Sequence, residues 1–227
     1  MTIGVGGSTT EAELAAIGDL TRGVEPIAVA EFRARIERAC GLMAEEQLDA
    51  IFICAGTNLY YFTGTRWTPS ERLVGAVLTR GGELHYLAPA FELGTLRDYI
   101  QVEGTVHTWE EHDSPYTLLD VVLRQLGVDG GDVGIDESTP FFVFDGLRTA
   151  SPRNRYRSAT AVTAGCRMHK SASELALLQA AKDLTLQVHR HAARILSPGI
   201  TAAEVTDFIH RAHLAAGAPA GSYFCIV

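Results

Sequence analysis

Residue types able to do chemistry are sparse in this chain, and most lack a partner at a useful spacing. His210-x-x-His213 has the spacing that puts two imidazoles on adjacent turns of a helix, as in half of a metal clasp. No third ligand stands beside it, so a solvated helix face is the simpler reading. His189 and His191 lie two apart and point in different directions. The four cysteines, Cys40, Cys54, Cys166 and Cys225, are scattered with no C-x-x-C pair. A thiolate nucleophile needs a paired base, and nothing in the sequence places one. Cys54 and Cys225 sit in apolar runs and are expected in the core. The Gly-rich stretch Gly127 to Gly134 lacks both the GxGxxG order and a Walker lysine, and reads as a loop.

Composition narrows the function classes. Apolar residues make up 47% and charged residues 20% of the 227, ordinary for a soluble globular protein. A formal charge of −8 argues against a nucleic-acid surface, which needs clustered positive charge. Lys170 and Lys182 are the only lysines, a bias that fits nucleotide composition better than function. No run approaches the ~20 apolar residues of a membrane span. Residues Met1 to Thr10 are rich in Gly, Ser and Thr and are unlike a signal peptide. A loose start is expected, with a short helix opening at Thr10-x-x-Glu13. Scattered cysteines and no leader point to reduced thiols and a cytoplasmic location.

The elements that must position these residues alternate. Phe32, Ile36, Ala39, Cys40 and Met43 fall on one helical face. Ala50-Ile51-Phe52-Ile53-Cys54 reads as a strand buried on both faces. Leu73 to Thr79 and Leu84 to Leu87 flank Gly81-Gly82 as a hairpin. Helical patterns recur at Phe91 to Tyr99, Leu118 to Leu126 and Pro140 to Leu147, with a short strand at Val133 to Ile135. The expected fold class is α/β, a mixed sheet flanked by helices. Arg153 to Arg157 reads as an exposed basic connector.

Beyond it, Ser171-x-x-Glu174 and Thr201-x-x-Glu204 are capping-box patterns that open two helices. Their apolar stripes are Leu177, Ala181, Leu184, Val188 and Ile195, then Val205, Phe208, Ile209 and Ala212, with Gly217 as the stop. Tyr223-Phe224-Cys225-Ile226-Val227 reads as an interior strand with no turn or partner after it. The expectation is therefore the front part of a larger protein, whose helix faces self-associate unless something covers them.

Three patterns in this order resemble one family. Asn58-Leu59-Tyr60-Tyr61-Phe62-Thr63-Gly64 follows an apolar strand, as in creatinase-type N-terminal domains. Arg167-Met168-His169-Lys170-Ser171-x-x-Glu174-Leu175 and Pro198-Gly199-Ile200-Thr201-x-x-Glu204-Val205 resemble the entry to a pita-bread metallopeptidase domain, the fold of Xaa-Pro aminopeptidases, prolidases and creatinase. The resemblance implies a flexible segment over 1–25, a creatinase-type N-terminal domain over 26–155, and a linker with the first two helices of an incomplete pita-bread domain over 156–227. It implies a dimeric Xaa-Pro peptidase acting on proline-containing peptides with two divalent ions (Mn, Co or Zn). The metal ligands and the proton-shuttling histidine of the family have no counterpart in this sequence, so the segment alone is expected to bind no metal pair and to be inactive.

Within the resemblance, Arg66-Trp67-Thr68-Pro69-Ser70-Glu71-Arg72 is similar to the "P-H-E-R" loop of prolidase-like members, with Ser70 in place of the usual His. In relatives the N-terminal domain of one subunit reaches the catalytic cleft of its partner. That implies substrate-binding roles in trans for Arg66, Trp67, Glu71 and Arg72: an arginine clamping a terminal carboxylate, a tryptophan walling the pocket. The plainer reading is a surface ion pair between Glu71 and Arg72, with Trp67 merely packing. Two other functions remain open: a creatinase- or ectoine-hydrolase-like C–N hydrolase, and a non-catalytic pseudopeptidase binding module.

Overall fold

Strand β1 (Ala50–Cys54) is buried at every position, and the rest of its domain is built outward from it. The computed structural model describes residues 4–227. In chain order it contains α1 (Thr10–Ala16), α2 (Val29–Glu45), β1, α3 (Thr57–Thr63), β2 (Gly75–Thr79), β3 (Leu84–Pro89), a 3₁₀ turn at Ala90–Glu92, α4 (Leu93–Tyr99), β4 (Thr105–Trp109), α5 (Pro115–Gln125), β5 (Asp132–Ile135), α6 (Phe141–Ala150), β6 (Arg155–Ser158), α7 (Thr160–Arg167), α8 (Ala172–Ile195) and α9 (Ala202–Ala215). Two units result, one of Ile27–His169 and one joining the described part of Met1–Pro26 to Lys170–Val227.

In the first unit six strands form one sheet in the order β4-β3-β2-β1-β5-β6. The β1–β2 and β2–β3 pairs are antiparallel, and β1–β5, β5–β6 and β3–β4 are parallel, so the sheet is mixed as expected. Apolar residues of β1 alternate between two cores. Ile51 and Ile53 meet Phe32, Ile36 and Met43 of α2, while Ala50 and Phe52 meet Leu119 and Leu123 of α5 and Leu147 of α6. Each fully buried Ile or Phe here contributes about 1.5–3 kcal/mol by leaving water.

Several elements lie where the pattern did not reveal them. Of the expected connector Arg153 to Arg157, the last three residues lie in edge strand β6, with Arg155 bonded to Asp132 at 2.5 Å. Its charges sit on an edge, where they deter pairing with another chain. Strand β4 and helix α3 also lack a clear apolar period, whereas α7 buries Val162 and Cys166 one turn apart. The first helix starts one residue earlier than its capping pattern suggested: Thr9, not Thr10, caps it by accepting from the Ala12 N–H at 3.2 Å.

The second unit holds α1, α8 and α9. Both capping boxes form, at Ser171/Glu174 and Thr201/Glu204. Gly217, at φ +96°, ends α9 with the paired bonds Gly217 N–H to Leu214 O and Ala218 N–H to His213 O. Leu184, Val188, Ala192 and Ile195 of α8 pack on Val205, Phe208, Ile209 and Ala212 of α9. Leu177 and Ala181, placed on the same stripe by the sequence, are not buried.

The units divide the chain at a different place from the expected boundaries. The sequence predicts a flexible start over residues 1–25, but Leu14 and Ile17 pack on the α8–α9 core. Glu13, 6% exposed, receives the Nδ1 of His191 at 2.5 Å and lies 3.6 Å from Arg194. A buried carboxylate needs such partners, and they tie α1 down. The part of that expectation concerning residues 1–3 lies outside the described residues. At the other boundary, β6 and α7 belong to the sheet unit, because β6 completes its sheet and Val162 and Cys166 fill its core. Tyr223 to Val227 forms no strand; Tyr223, Phe224 and Ile226 are exposed, and Cys225 is half-buried instead of a core residue.

Candidate functional site

The Asn58–Gly64 motif folds as α3, and its two ends do different things. At its start, Asn58 is buried and bonded on three sides. Its amide donates to Asp136 Oδ1 at 2.6 Å and to Glu137 Oε1 at 3.1 Å. Its carbonyl oxygen accepts from Arg167 Nη1 at 2.7 Å. Glu137 also accepts from the Thr163 hydroxyl, and Asp136 accepts from the Ser138 N–H at 2.8 Å and the Cys54 N–H at 3.3 Å. Strand β1, helix α3, the end of β5 and helix α7 therefore meet in one polar knot.

Its two carboxyl groups are pushed apart. Burial drives Asp136 above its ordinary value, against the pull of Ser138 and Asn58. Burial acts on Glu137 too, but the Thr163 hydroxyl, its own backbone N–H, Asn58 and the Arg167 charge outweigh it and hold the group below its usual range. Such divergence marks catalytic pairs in other settings. Here protein donors surround both groups, and the arrangement serves as a rivet. The sequence offered one signal for it: an Asp-Glu-Ser run straight after a short strand, where Asp136 closes an Asx turn on Ser138.

At its far end α3 stops at Gly64, φ +72°, whose N–H donates to Tyr60 O at 2.9 Å. A Cβ there would stand 2.8 Å from the Phe32 ring, so both conformation and space demand glycine. The Thr63 hydroxyl donates to Leu59 O and accepts the Thr65 N–H, which turns the chain out into the Arg66–Arg72 loop.

The four candidate residues of this loop separate into two pairs. Arg66 is exposed, with its guanidinium 5.4 Å from the centre of the Tyr60 ring. Among the described residues no carboxylate pairs with it. Trp67 is half-buried and stands edge-on to Tyr99 at 6.2 Å. Arg72, also exposed, is by contrast paired with two carboxylates. Its Nε and Nη2 donate to Glu111 Oε1 at 2.9 and 2.7 Å, and its Nη1 to Glu71 Oε1 at 2.6 Å. Phe91 lies beneath it at 5.4 Å. Glu111, 39 residues away, was invisible to local pattern, as were Tyr99 and Phe91. The structure thus brings Arg66 and Trp67 to an aromatic surface and sets Glu71 and Arg72 in a fixed ion cluster.

The remaining candidates are placed as follows. His210 is exposed and His213 is half-buried, its Nδ1 2.7 Å from Ile209 O. Cys54 is buried, and burial with the nearby Asp136 pushes its thiol up to about 11, far from a nucleophile's range. Gly127 follows α5 at φ +75° and opens a loop, but the last residues of the expected loop, from Asp132 to Gly134, lie in strand β5. Among the described residues no three His, Cys, Asp or Glu side chains converge to hold a metal ion, and no helix is long and apolar enough to cross a membrane.

Comparison with known proteins places this geometry. The chain is 29% identical over 188 residues to the probable dipeptidase PepE of Mycobacterium tuberculosis, covering 82% of this chain and 49% of that one. It superposes on the crystal structure of dipeptidase PepE from Mycobacterium ulcerans with a TM-score of 0.73 at 27% identity, over 84% of this chain and 51% of the other. The prolidase of Thermococcus sibiricus shares the fold, with a TM-score of 0.73 at 19% identity, over 88% of this chain and 52% of that one. The chain spans about half the length of the curated relatives it matches. Residues 35–169, which hold the whole sheet, the polar knot and the Arg66–Arg72 loop, match the model of the Creatinase/Prolidase N-terminal domain, and the chain belongs to that family.

Proposed function

We propose that this chain forms the N-terminal half of an Xaa-Pro dipeptidase or prolidase. The family match over residues 35–169, beside relatives named as dipeptidases and prolidases, carries the reading. In it α8 and α9 open a pita-bread catalytic domain, and the two divalent ions (Mn, Co or Zn) are held by residues outside this chain. The whole protein is a cytoplasmic homodimer. The first unit supplies contacts between subunits and presents the Arg66–Arg72 loop to the partner's cleft.

Within that loop the bonding pattern supports a division of roles. A guanidinium already bound to two carboxylates has few donors left, so Arg72 with Glu71 shapes the loop. Arg66 retains its fork for the carboxylate of a short peptide, and Trp67 walls the pocket. The test is hydrolysis of Xaa-Pro dipeptides by the whole protein with added Mn²⁺, compared with its Arg66→Ala variant. The expected result is turnover of free dipeptides, with KM raised about tenfold or more in the variant and kcat less affected. Absence of turnover on any Xaa-Pro dipeptide by the metal-loaded protein would overturn the peptidase reading, and an unchanged KM the role of Arg66.

A further inference from the structure

We propose that His85 and His107 form a proton-sensitive clasp that holds edge strand β4, and through it the end of the Arg66–Arg72 loop, and that acid opens it. His85 Nδ1 lies 3.0 Å from His107 Nε2. The ring centres are 5.3 Å apart and the planes differ by only 22°. That combination sets the rings edge to edge, sharing one N–H···N hydrogen bond. Only one proton fits between the two nitrogens, so one ring must be a neutral acceptor. With both rings charged the bond is lost and like charges face each other.

The place of the pair in the sheet makes this consequential. Strand β4 is an edge strand, and its ladder runs to β3 alone, from His85–Thr105 to Pro89–Trp109. His85 stands beside Val77 of β2 and His107 beside Leu87 of β3, on the face that α5 covers. Few charges reach the pair. Glu83, just before β3, acts on His85, and His85 acts on His107. The charged residues of α5, Asp120 and Arg124, are bonded to each other. Burial lowers both rings below the ordinary 6.5, with Glu83 opposing at His85 and the neighbouring ring adding at His107.

Beyond the clasp, the end of β4 and the turn after it carry two anchors of the loop. The Trp109 indole N–H donates to Leu73 O at 3.2 Å, next to Arg72. Two residues on, Glu111 holds the Arg72 guanidinium. Loosening β4 therefore loosens the last turn of the loop. The chain's two tryptophans, Trp67 in the loop and Trp109 on β4, both report on this movement. The clasp holds the end of the loop whether or not the loop meets a substrate.

The sign follows from proton binding. Rings whose folded value is depressed bind fewer protons folded than unfolded, so their contribution is present above pH 6.5 and lost as pH falls through the lower folded value. The test follows imidazole ¹⁵N signals, tryptophan emission and amide exchange in the intact protein from pH 8 to 5. The control is the double variant His85→Asn, His107→Gln, whose amides sit near the bonded Nδ1 and Nε2 positions but do not titrate. In the native protein a coupling across the N–H···N bond at pH 8 should vanish in acid. It should vanish together with a change in emission and a loss of β4 amide protection, taken relative to the intrinsic exchange rate at each pH, of at least about tenfold. The double variant should stay flat. The same emission change in the variant, or two native rings titrating independently while β4 exchange is unchanged, would overturn the clasp. Should the variant not fold, the coupling and exchange measurements on the native protein decide by themselves.

Discussion

The sheet unit and the helical unit solve the burial problem differently. In the first, helices cover both faces of one sheet, and Phe52, Ile51 and Tyr86 are almost fully removed from water. In the second, α8 runs for 24 residues but buries only Leu184, Val188, Ala192 and Ile195. Leu175, Leu178 and Leu186 are each about half exposed, at 56%, 55% and 48%. A sheet with two apolar faces closes on itself once helices lie on both. A pair of long helices has more apolar surface than the pair can hide. The first unit is thus internally satisfied, and the second depends on small, specific ties such as the Glu13–His191 bond.

Three substitutions test that contrast, the largest effect first. Phe52→Ala empties the centre of the α5-side core and should cost the sheet unit about 3–5 kcal/mol, read from urea unfolding. A loss under about 1 kcal/mol would mean the core collapses into the gap and is less rigid than its packing suggests. Next, Glu13→Gln keeps the shape of the α1–α8 tie but removes its charge, and should cost about 1.5 kcal/mol at neutral pH, read from exchange of α1 amides.

The same group predicts a pH dependence. A hydrogen bond from Ser8 is the largest influence on Glu13, and with His191 and Arg194 it outweighs burial and holds the carboxyl below 4.5. Its contribution is present above pH 4.5 and is lost as pH falls through the lower folded value. Glu13→Gln should flatten stability over that window, and an unaltered acid profile would place the tie elsewhere. The smallest effect belongs to Leu178→Gln, on the exposed face of α8, which should change stability by no more than about 0.5 kcal/mol. A larger loss would mean that this leucine is covered in solution and would sharpen the case for self-association.

Local pattern reached much of this. The helix carrying Phe32, Ile36 and Met43, the buried strand Ala50–Cys54, the Gly81-Gly82 hairpin and both capping boxes are written in period, turn residues and cap chemistry. These are short-range signals, and short-range physics decides them. The missed elements share a trait. Strand β4 (Thr-Val-His-Thr-Trp) and strand β6 (Arg-Tyr-Arg-Ser) are edges, where one side needs no burial and the apolar alternation is diluted. Helix α3 is rich in aromatic and β-branched residues with modest helix propensity, and is helical because Asn58, Leu59, Phe62 and Thr63 are buried by their surroundings.

The candidate site divides along the same line. The sequence by itself determined the family signature, the loop and its four residues, because these are contiguous. Only the tertiary structure decided that Arg72 is taken by Glu111, that Asn58 joins Asp136, Glu137 and Arg167, and that two histidines 22 residues apart come within 3.0 Å. Those contacts depend on which strands become neighbours. Strand order is set by how the whole chain buries its apolar faces, which no window of sequence contains.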